Sequence, residues 1–232
     1  MIEFLFLDLD DTILDFHKAE RIALGKTLRQ MGVEPTEAVL TRYHEINKWH
    51  WEQLEAGNLN RDEVLTGRFD VLFRELGTAA DGAQCARSYE RNLAIGHWFL
   101  PGAEDAVARL SQKYRLFLAS NGTASVQKGR LTSANLYRFF EKVFVSQEIG
   151  FNKPSKAYFD ACFSRIPDFD PRKAMMVGDS LTSDIQGGIN AGIATVWVNP
   201  EHKPGNPAIR PDWEIENLPQ LEALLEKIQN CV

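Results

Sequence analysis

The run Phe4-Leu5-Phe6-Leu7-Asp8-Leu9-Asp10-Asp11-Thr12 passes from four consecutive apolar residues into three acids and a threonine. Four such residues predict a strand buried on both faces, as in a parallel sheet, so the acids stand where that strand emerges. Asp8 and Asp10 are two apart; extended backbone points them to one side, whereas a turn after Asp8 changes their relative direction. Either way two or three negative charges crowd together, and each pair repels by about 1 kcal/mol or more unless a cation offsets it. Oxygen ligands with no histidine or cysteine beside them suit Mg²⁺. The purely structural alternative is an N-cap aspartate with two solvated neighbours.

Beyond that stretch, the 232 residues are 44% hydrophobic and 25% charged, an ordinary soluble profile with room for one large domain or a core plus an insertion. The 26 basic and 32 acidic residues leave a net charge of −6, which argues against nucleic acid or an anionic membrane as the main partner. A small phosphorylated substrate remains open, since a few local donors can hold it. Cys85, Cys162 and Cys231 are odd in number and widely spaced, so no disulfide framework or zinc knuckle is expected and a cytoplasmic location fits. Met1-Ile2-Glu3 has no basic leader, and Phe4 to Leu7 is too short for a signal core or a membrane span. Monomer and homodimer are equally compatible with the sequence.

The next eighty or so residues read as helices: His17 to Gln30 ending at Gly32, Thr36 to Ala56, a third opening at the Asn60-x-x-Glu63 start signal and stopping at Gly77, and Asp81 to Ala94. No strand pattern interrupts them. From Pro101 onward helices and strands alternate: helix 102–113, strand 115–119, helix 125–134, strand 142–145, helix 155–164, strand 174–178, helix 182–191, strand 194–198, strand 213–215 and helix 218–228. This order predicts an α/β fold, a three-layer Rossmann-like core whose mostly parallel sheet carries the site at the carboxyl ends of its strands, plus an inserted all-helical cap. The expected division is 1–15 and 97–232 for the core and 16–96 for the cap.

Polar clusters follow three strands: Asp8 to Thr12, Ser120-Asn121-Gly122, and Gly178-Asp179-Ser180 with Asp184. Lys153, before Pro154, sits in a fourth loop after a strand and supplies a cation. Each piece alone is a common turn or helix start; their order and shared position make the set specific.

With these residues in hand, the chain resembles the haloacid dehalogenase superfamily of phosphohydrolases, whose four motifs correspond to Asp8-x-Asp10-x-Thr12, Ser120, Lys153, and Gly178-Asp179 with Asp184. The helical stretch resembles that superfamily's cap at its first insertion site. The resemblance implies that Asp8 is the nucleophile, forming an aspartyl-phosphate, and that Asp10 is the acid and base. Ser120, Lys153 and the turn amides at Asn121 and Gly122 would hold the phosphoryl oxygens. Mg²⁺ would be held by Asp8, Asp179 and the backbone carbonyl of Asp10, with Asp184 as a direct or outer partner; for Asp184 a buried helix residue bonded only locally is the alternative. Thr12 would orient the first loop. Asp10 separates the chain from true 2-haloacid dehalogenases, which lack an aspartate there, and favours a phosphatase or a phosphomutase, of which phosphatases are the commoner among such chains.

Within the cap, Ile46-Asn47-Lys48-Trp49-His50-Trp51-Glu52, Gly57-Asn58-Leu59 and Gly67-Arg68-Phe69 resemble the pyrimidine 5′-nucleotidases. So do Asp11-Thr12-Ile13-Leu14-Asp15-Phe16 and Gly188-Ile189-Asn190-Ala191-Gly192. This implies hydrolysis of nucleoside 5′-monophosphates such as UMP, dUMP, dTMP and their base-modified analogues. From the residues themselves, the Asn47 amide can pair with a pyrimidine edge, and Phe16, Trp49 or Trp51 can stack on a base, although an aromatic stripe on a helix is more often core. Trp51 lies four residues after Asn47, so one helix face can carry both. Arg68 meets either a substrate anion or a cap acid. His17, His44, His50, His97 and His202 fall into no ligand spacing and are expected at the surface or in packing. Two other functions compete: a phosphatase for phosphoglycolate or a sugar phosphate on the same core, and a binding protein that kept the fold and lost turnover.

Overall fold

The computed structural model describes residues 1–230, so Cys231 lies outside the described residues. In chain order β1 (Phe4–Leu7) leads into four helices, α1 (Phe16–Gln30), α2 (Glu37–Glu55), α3 (Arg61–Leu76) and α4 (Gly82–Leu93). Then come α5 (Ala103–Leu110), β2 (Arg115–Ser120), α6 (Ala124–Ser133), β3 (Lys142–Val145), α7 (Ser146–Ile149), α8 (Lys156–Phe163) and β4 (Ala174–Gly178). The chain continues through α9 (Gln186–Ala191), β5 (Ala194–Val198), β6 (Trp213–Ile215) and α10 (Gln220–Asn230).

All six strands are parallel, in the order β3-β2-β1-β4-β5-β6. The first strand is therefore central, flanked by β2 and β4, and its four residues are fully buried. Alternation divides them between two cores. Leu5 and Leu7 pack with Ala106 and Leu110 of α5, Leu131 of α6 and Leu221 of α10, whereas Phe4 and Phe6 pack with Tyr158 and Phe159 of α8 on the opposite face. A strand covered on both sides cannot alternate with polar residues, which is why it reads as a continuous apolar run.

The helical insertion has a third core of its own, built from Leu24, Tyr43, Phe69, Phe73 and Tyr89. Its boundaries follow local chemistry. Asp15 caps α1 by accepting from Lys18 N at 2.8 Å, Asn60 and Glu63 form a reciprocal capping box on α3, and Gly77 ends α3 at φ 64. Val126 of α6 joins this core, so the cap rests on the helix that follows β2.

The structure departs from the sequence reading in several places, among them the helix expected over 102–113, which ends at Leu110. Residues 182–191 do not form one α-helix: Leu181–Ile185 is a π-helical turn before α9. The wider turn swings the Asp184 carboxylate back beneath β4, where its Oδ2 accepts from Ser180 N at 3.1 Å. A Cβ on Gly178 would lie 2.1 Å from that same oxygen, so only glycine fits there. The short α7 follows β3 directly, and α10 starts two residues later than expected, at Gln220. Cys85 and Cys162 are buried thiols without a disulfide. No described helix is long and apolar enough to cross a membrane.

Candidate active site

Parallel strands bring the loops after β1, β2, β3 and β4 to one rim, beneath the helical cap. Asp8 N still donates to Val177 O at 2.9 Å, so the sheet ladder fixes the backbone from which its carboxylate projects. Lys153 is almost fully buried, and its three ammonium protons find three acceptors, Asp8 Oδ1, Asp184 Oδ1 and Ala119 O, each at 2.6 Å. Burial opposes that charge, but Asp184 and Asp8 hold the Lys153 pKa above its ordinary value. Burial pushes Asp8 up to about 8, against the pull of Lys153 and with help from Asp184 and Asp10. Asp179 is pushed well up as well, by burial and then by Asp184, Asp8 and Asp11.

Asp8, Asp179 and Asp184 each offer one oxygen within 4.8 Å of the others. Two buried carboxylates and the half-buried Asp179 against one lysine leave an excess of negative charge, and the all-oxygen donor set fits a hard divalent cation such as Mg²⁺. The Asp10 carboxylate is not part of this trio. It is held instead by Arg130 and by Gln127 Nε2 at 2.7 Å, on the side facing the cap. Arg130 is fully buried and also donates from Nε to Gly96 O at 3.0 Å, so it ties Asp10 to the chain leaving the cap.

Ser120 Oγ accepts from Gly122 N at 3.1 Å and from Gln127 Nε2 at 2.9 Å. Gly122 has no space for a side chain, since a Cβ would lie 2.3 Å from Gln127 Nε2. Asn121 lines the cleft, but its amide brackets the lysine loop: Oδ1 accepts from Lys153 N at 2.8 Å and Nδ2 donates to Lys153 O at 2.9 Å. Thr12 is buried beneath the first loop, away from the cleft wall, with no hydrogen-bond partner for Oγ1 among the described residues.

In the cap, Phe16 and Trp51 line the cleft, a cavity of about 200 Å³ over Asp8 and Asp10. Asn47 does not. Although one helix carries both residues, Asn47 is turned into the cap interior, where Nδ2 donates to Glu20 Oε1 at 2.6 Å and Oδ1 accepts from Arg68 Nη1 at 2.7 Å. The group that reaches the cleft is Arg68, stacked on Phe69 and Tyr89 and steadied by Asn47 rather than by an acid. Trp49 is half exposed and outside the cleft lining.

Several residues at the cleft and at the boundary of cap and core had no signal in the sequence. Arg61, just inside the α3 cap, spans from cap to core: Nη1 reaches Gly122 O at 3.2 Å, while Nη2 reaches Asn121 O at 3.2 Å, Ser146 Oγ at 2.6 Å and Asn152 Oδ1 at 2.8 Å. Glu55, at the end of α2, accepts from Thr182 Oγ1 at 2.8 Å, and burial raises its pKa to about 7. Two polar atoms belonging to cleft-lining residues, Glu90 Oε1 and Arg130 Nη2, are buried without a partner among the described residues. Gln127 and Arg130 share a face of α6 at a spacing of three, a pattern that acquires meaning only when Asp10 is placed opposite.

Residues 2–192 match the model of the haloacid dehalogenase-like hydrolases. The chain is similar to YfnB of Bacillus subtilis, a HAD-hydrolase, with 42% identity over 98% of this chain and 97% of that one. A magnesium-bound crystal structure of YfnB superposes with a TM-score of 0.93 at 41% identity, covering 97% of this chain and 98% of that one. The pyrimidine 5′-nucleotidase PynA of Streptococcus pneumoniae is 37% identical over 97% of this chain and 95% of its own length. The pyrimidine 5′-nucleotidase YjjG of Escherichia coli is 29% identical over 97% and 98%. With four loops converging on Asp8 and a family match across most of its length, the chain belongs to the haloacid dehalogenase-like hydrolases.

Proposed function

We propose that this hydrolase is a Mg²⁺-dependent phosphatase of nucleoside 5′-monophosphates, acting on pyrimidine nucleotides such as UMP, dUMP and dTMP and their base-modified analogues. Residues 16–96 would serve as the cap that selects the ester, and 1–15 with 97–232 as the core that cleaves it. Phosphoric monoester hydrolysis is carried by one observation above all: Asp8 stands at the end of the central strand with Lys153 on one oxygen and Ser120 and Asp10 in the neighbouring loops. The choice of nucleotides is supported by the relatives named pyrimidine 5′-nucleotidase and by the chemistry of the cleft wall. Phe16 and Trp51 offer rings for stacking, and Arg68 and Glu90 offer a donor and an unmatched acceptor for the polar edge of a base.

In this mechanism Asp8 attacks phosphorus and the ester oxygen leaves, taking the proton that Asp10 carries. Asp10 then removes a proton from water; the hydroxide attacks the phosphorus of the aspartyl-phosphate, the acyl P–O bond breaks, and inorganic phosphate and the Asp8 carboxylate are released. Gln127 and Arg130 aim the Asp10 carboxylate, and Ser120, Gly122 N and Lys153 surround the phosphoryl oxygens as charge moves onto them. Asp8, Asp179, Asp184 and the Asp10 carbonyl are the residues that would hold Mg²⁺, which supplies positive charge to screen Asp8 from the incoming phosphate. A cap seated over the cleft keeps solvent out during phosphoryl transfer.

The test is phosphate release from a panel of purine and pyrimidine 5′-monophosphates, phosphoglycolate and sugar phosphates, with Mg²⁺ and with EDTA. The expected result is turnover of dUMP, dTMP and UMP, abolished by EDTA. Faster turnover of phosphoglycolate or a sugar phosphate by well over tenfold would transfer the assignment to a small-metabolite phosphatase, and no release from any ester would leave only a binding role.

A further inference from the structure

The cap holds a second cluster of ligating side chains, which the proposed hydrolysis does not use. His17 and Glu20 stand one turn apart on α1, and His44 of α2 faces them. His44 Nδ1 lies 2.7 Å from Glu20 Oε2, the two imidazole rings have centroids 4.7 Å apart, and one ligand atom from each of the three residues lies within 4.8 Å of the others. Residues scattered at 17, 20 and 44 show no ligand spacing along the chain, yet two helices bring them together.

The Glu20 carboxylate gives the cluster its polarity. Its side chain is only 5% exposed, and its partners are the Asn47 amide and His44; no lysine or arginine among the described residues forms an ion pair with it. A buried carboxylate without a permanent cation is costly, and a metal ion is one group that resolves this. A further oxygen borders the open side: Asp11 Oδ2 lies 3.4 Å from His17 Nε2. Asp11 also accepts from Phe16 N at 2.9 Å, at the point where the chain leaves the loop of Asp8 and Asp10 and enters the cap.

We propose that His17, Glu20 and His44 form a binding site for a divalent transition-metal ion of the zinc class, at the root of the cap. Two imidazoles and one carboxylate, with one side open, are a zinc-type donor set, whereas the Asp8, Asp179 and Asp184 cluster offers only oxygen and suits magnesium. The two sites are thus chemically orthogonal. An ion at the first would clip α1 to α2 beside the catalytic loop and stiffen the junction between that loop and the cap. This inference stands whether or not the substrate is a nucleotide.

The experiment uses the untagged full chain, stripped of metal and then saturated with Mg²⁺ so that the oxygen cluster is filled. Zn²⁺ is titrated by calorimetry and Co²⁺ by visible absorption. The expected result is one zinc equivalent per chain bound in the presence of Mg²⁺, and a cobalt d–d band of four- or five-coordinate intensity. Both should persist in Asp179→Asn and weaken by about tenfold or more in His17→Gln and in His44→Gln, the least expected when one of three ligands is lost. His17 is the more exposed of the pair, so its substitution tests the site even if His44→Gln perturbs folding. Zinc binding that is absent, that is unchanged in both histidine variants, or that vanishes in Asp179→Asn alone would overturn the proposal.

Discussion

Replacing Arg61 with alanine removes the densest polar link between cap and core. Its guanidinium serves four acceptors, the Asn121 and Gly122 carbonyls, Ser146 Oγ and Asn152 Oδ1, and lies over the Trp51 ring at 5.7 Å. Charge-assisted hydrogen bonds contribute about 1.5–3 kcal/mol each when buried. Two terms reduce the sum. Burial lowers the Arg61 pKa, a sign that the charge has lost hydration, and in an open state both the cation and its acceptors recover water. A net loss of roughly 2–3 kcal/mol in favour of the closed arrangement is the reasonable outcome, a shift of about 30- to 150-fold in the closed-to-open ratio. Arg61→Ala should therefore increase the radius of gyration in solution scattering, speed amide exchange at the start of α3, and lower kcat/KM for dUMP by about 30-fold or more. Lysine at this position restores one bond of the four and should fall between. Unchanged scattering and exchange, with kcat/KM within about twofold of the parent, would refute the role given to Arg61.

Asn47→Ala distinguishes a support from a base reader: with Glu20 and Arg68 left unmatched, it should lower unfolding stability in urea by about 1–3 kcal/mol, whereas lost base recognition would raise KM and leave stability intact. Glu55 should make the seating of the cap on the core pH-dependent. Its pKa is about 7 against the core but ordinary in solvent, so closing takes up a proton between pH 4.5 and about 7. Closure is accordingly favoured on the acid side and weakens as pH rises through that window; Glu55→Gln should flatten the scattering-versus-pH curve, and an unaltered slope would remove Glu55 from the account. Gly129→Ala should destabilise by about 1–3 kcal/mol in urea, against the usual gain for alanine within a helix, because a Cβ there would lie 2.5 Å from Ala94 O where α6 packs on the end of α4.

These residues also show what a sequence can reveal. Most strands after Gly102 were legible because they are short, mainly apolar runs bounded by polar or glycine residues, and 142–145, 174–178, 194–198 and 213–215 begin and end as expected. The rim of Asp8, Ser120, Lys153 and Asp179 followed from the parallel topology, which puts every strand end on one side. What escaped depends on long-range placement. Asn47 and Trp51 share a helix, but four residues are slightly more than a turn, enough for one to face the cleft while the other enters the cap core. Arg61 and Arg130 gain roles only from partners 60 and 120 positions away. The π turn at Leu181 answers to Asp184 seeking Ser180 N and Lys153, a tertiary demand that overrides the local α-helical preference.

The central claim is that Asp8 carries the phosphoryl group. Rapid mixing with dUMP and Mg²⁺, a borohydride quench and mass analysis of the peptide spanning Asp8 tests it most directly, because borohydride reduces an aspartyl-phosphate to homoserine. The expected result is reduction at Asp8 that requires both substrate and Mg²⁺, and no turnover in Asp8→Asn. Hydrolysis that proceeds with the Asp8 peptide unreduced, or at an unchanged rate in Asp8→Asn, would contradict it.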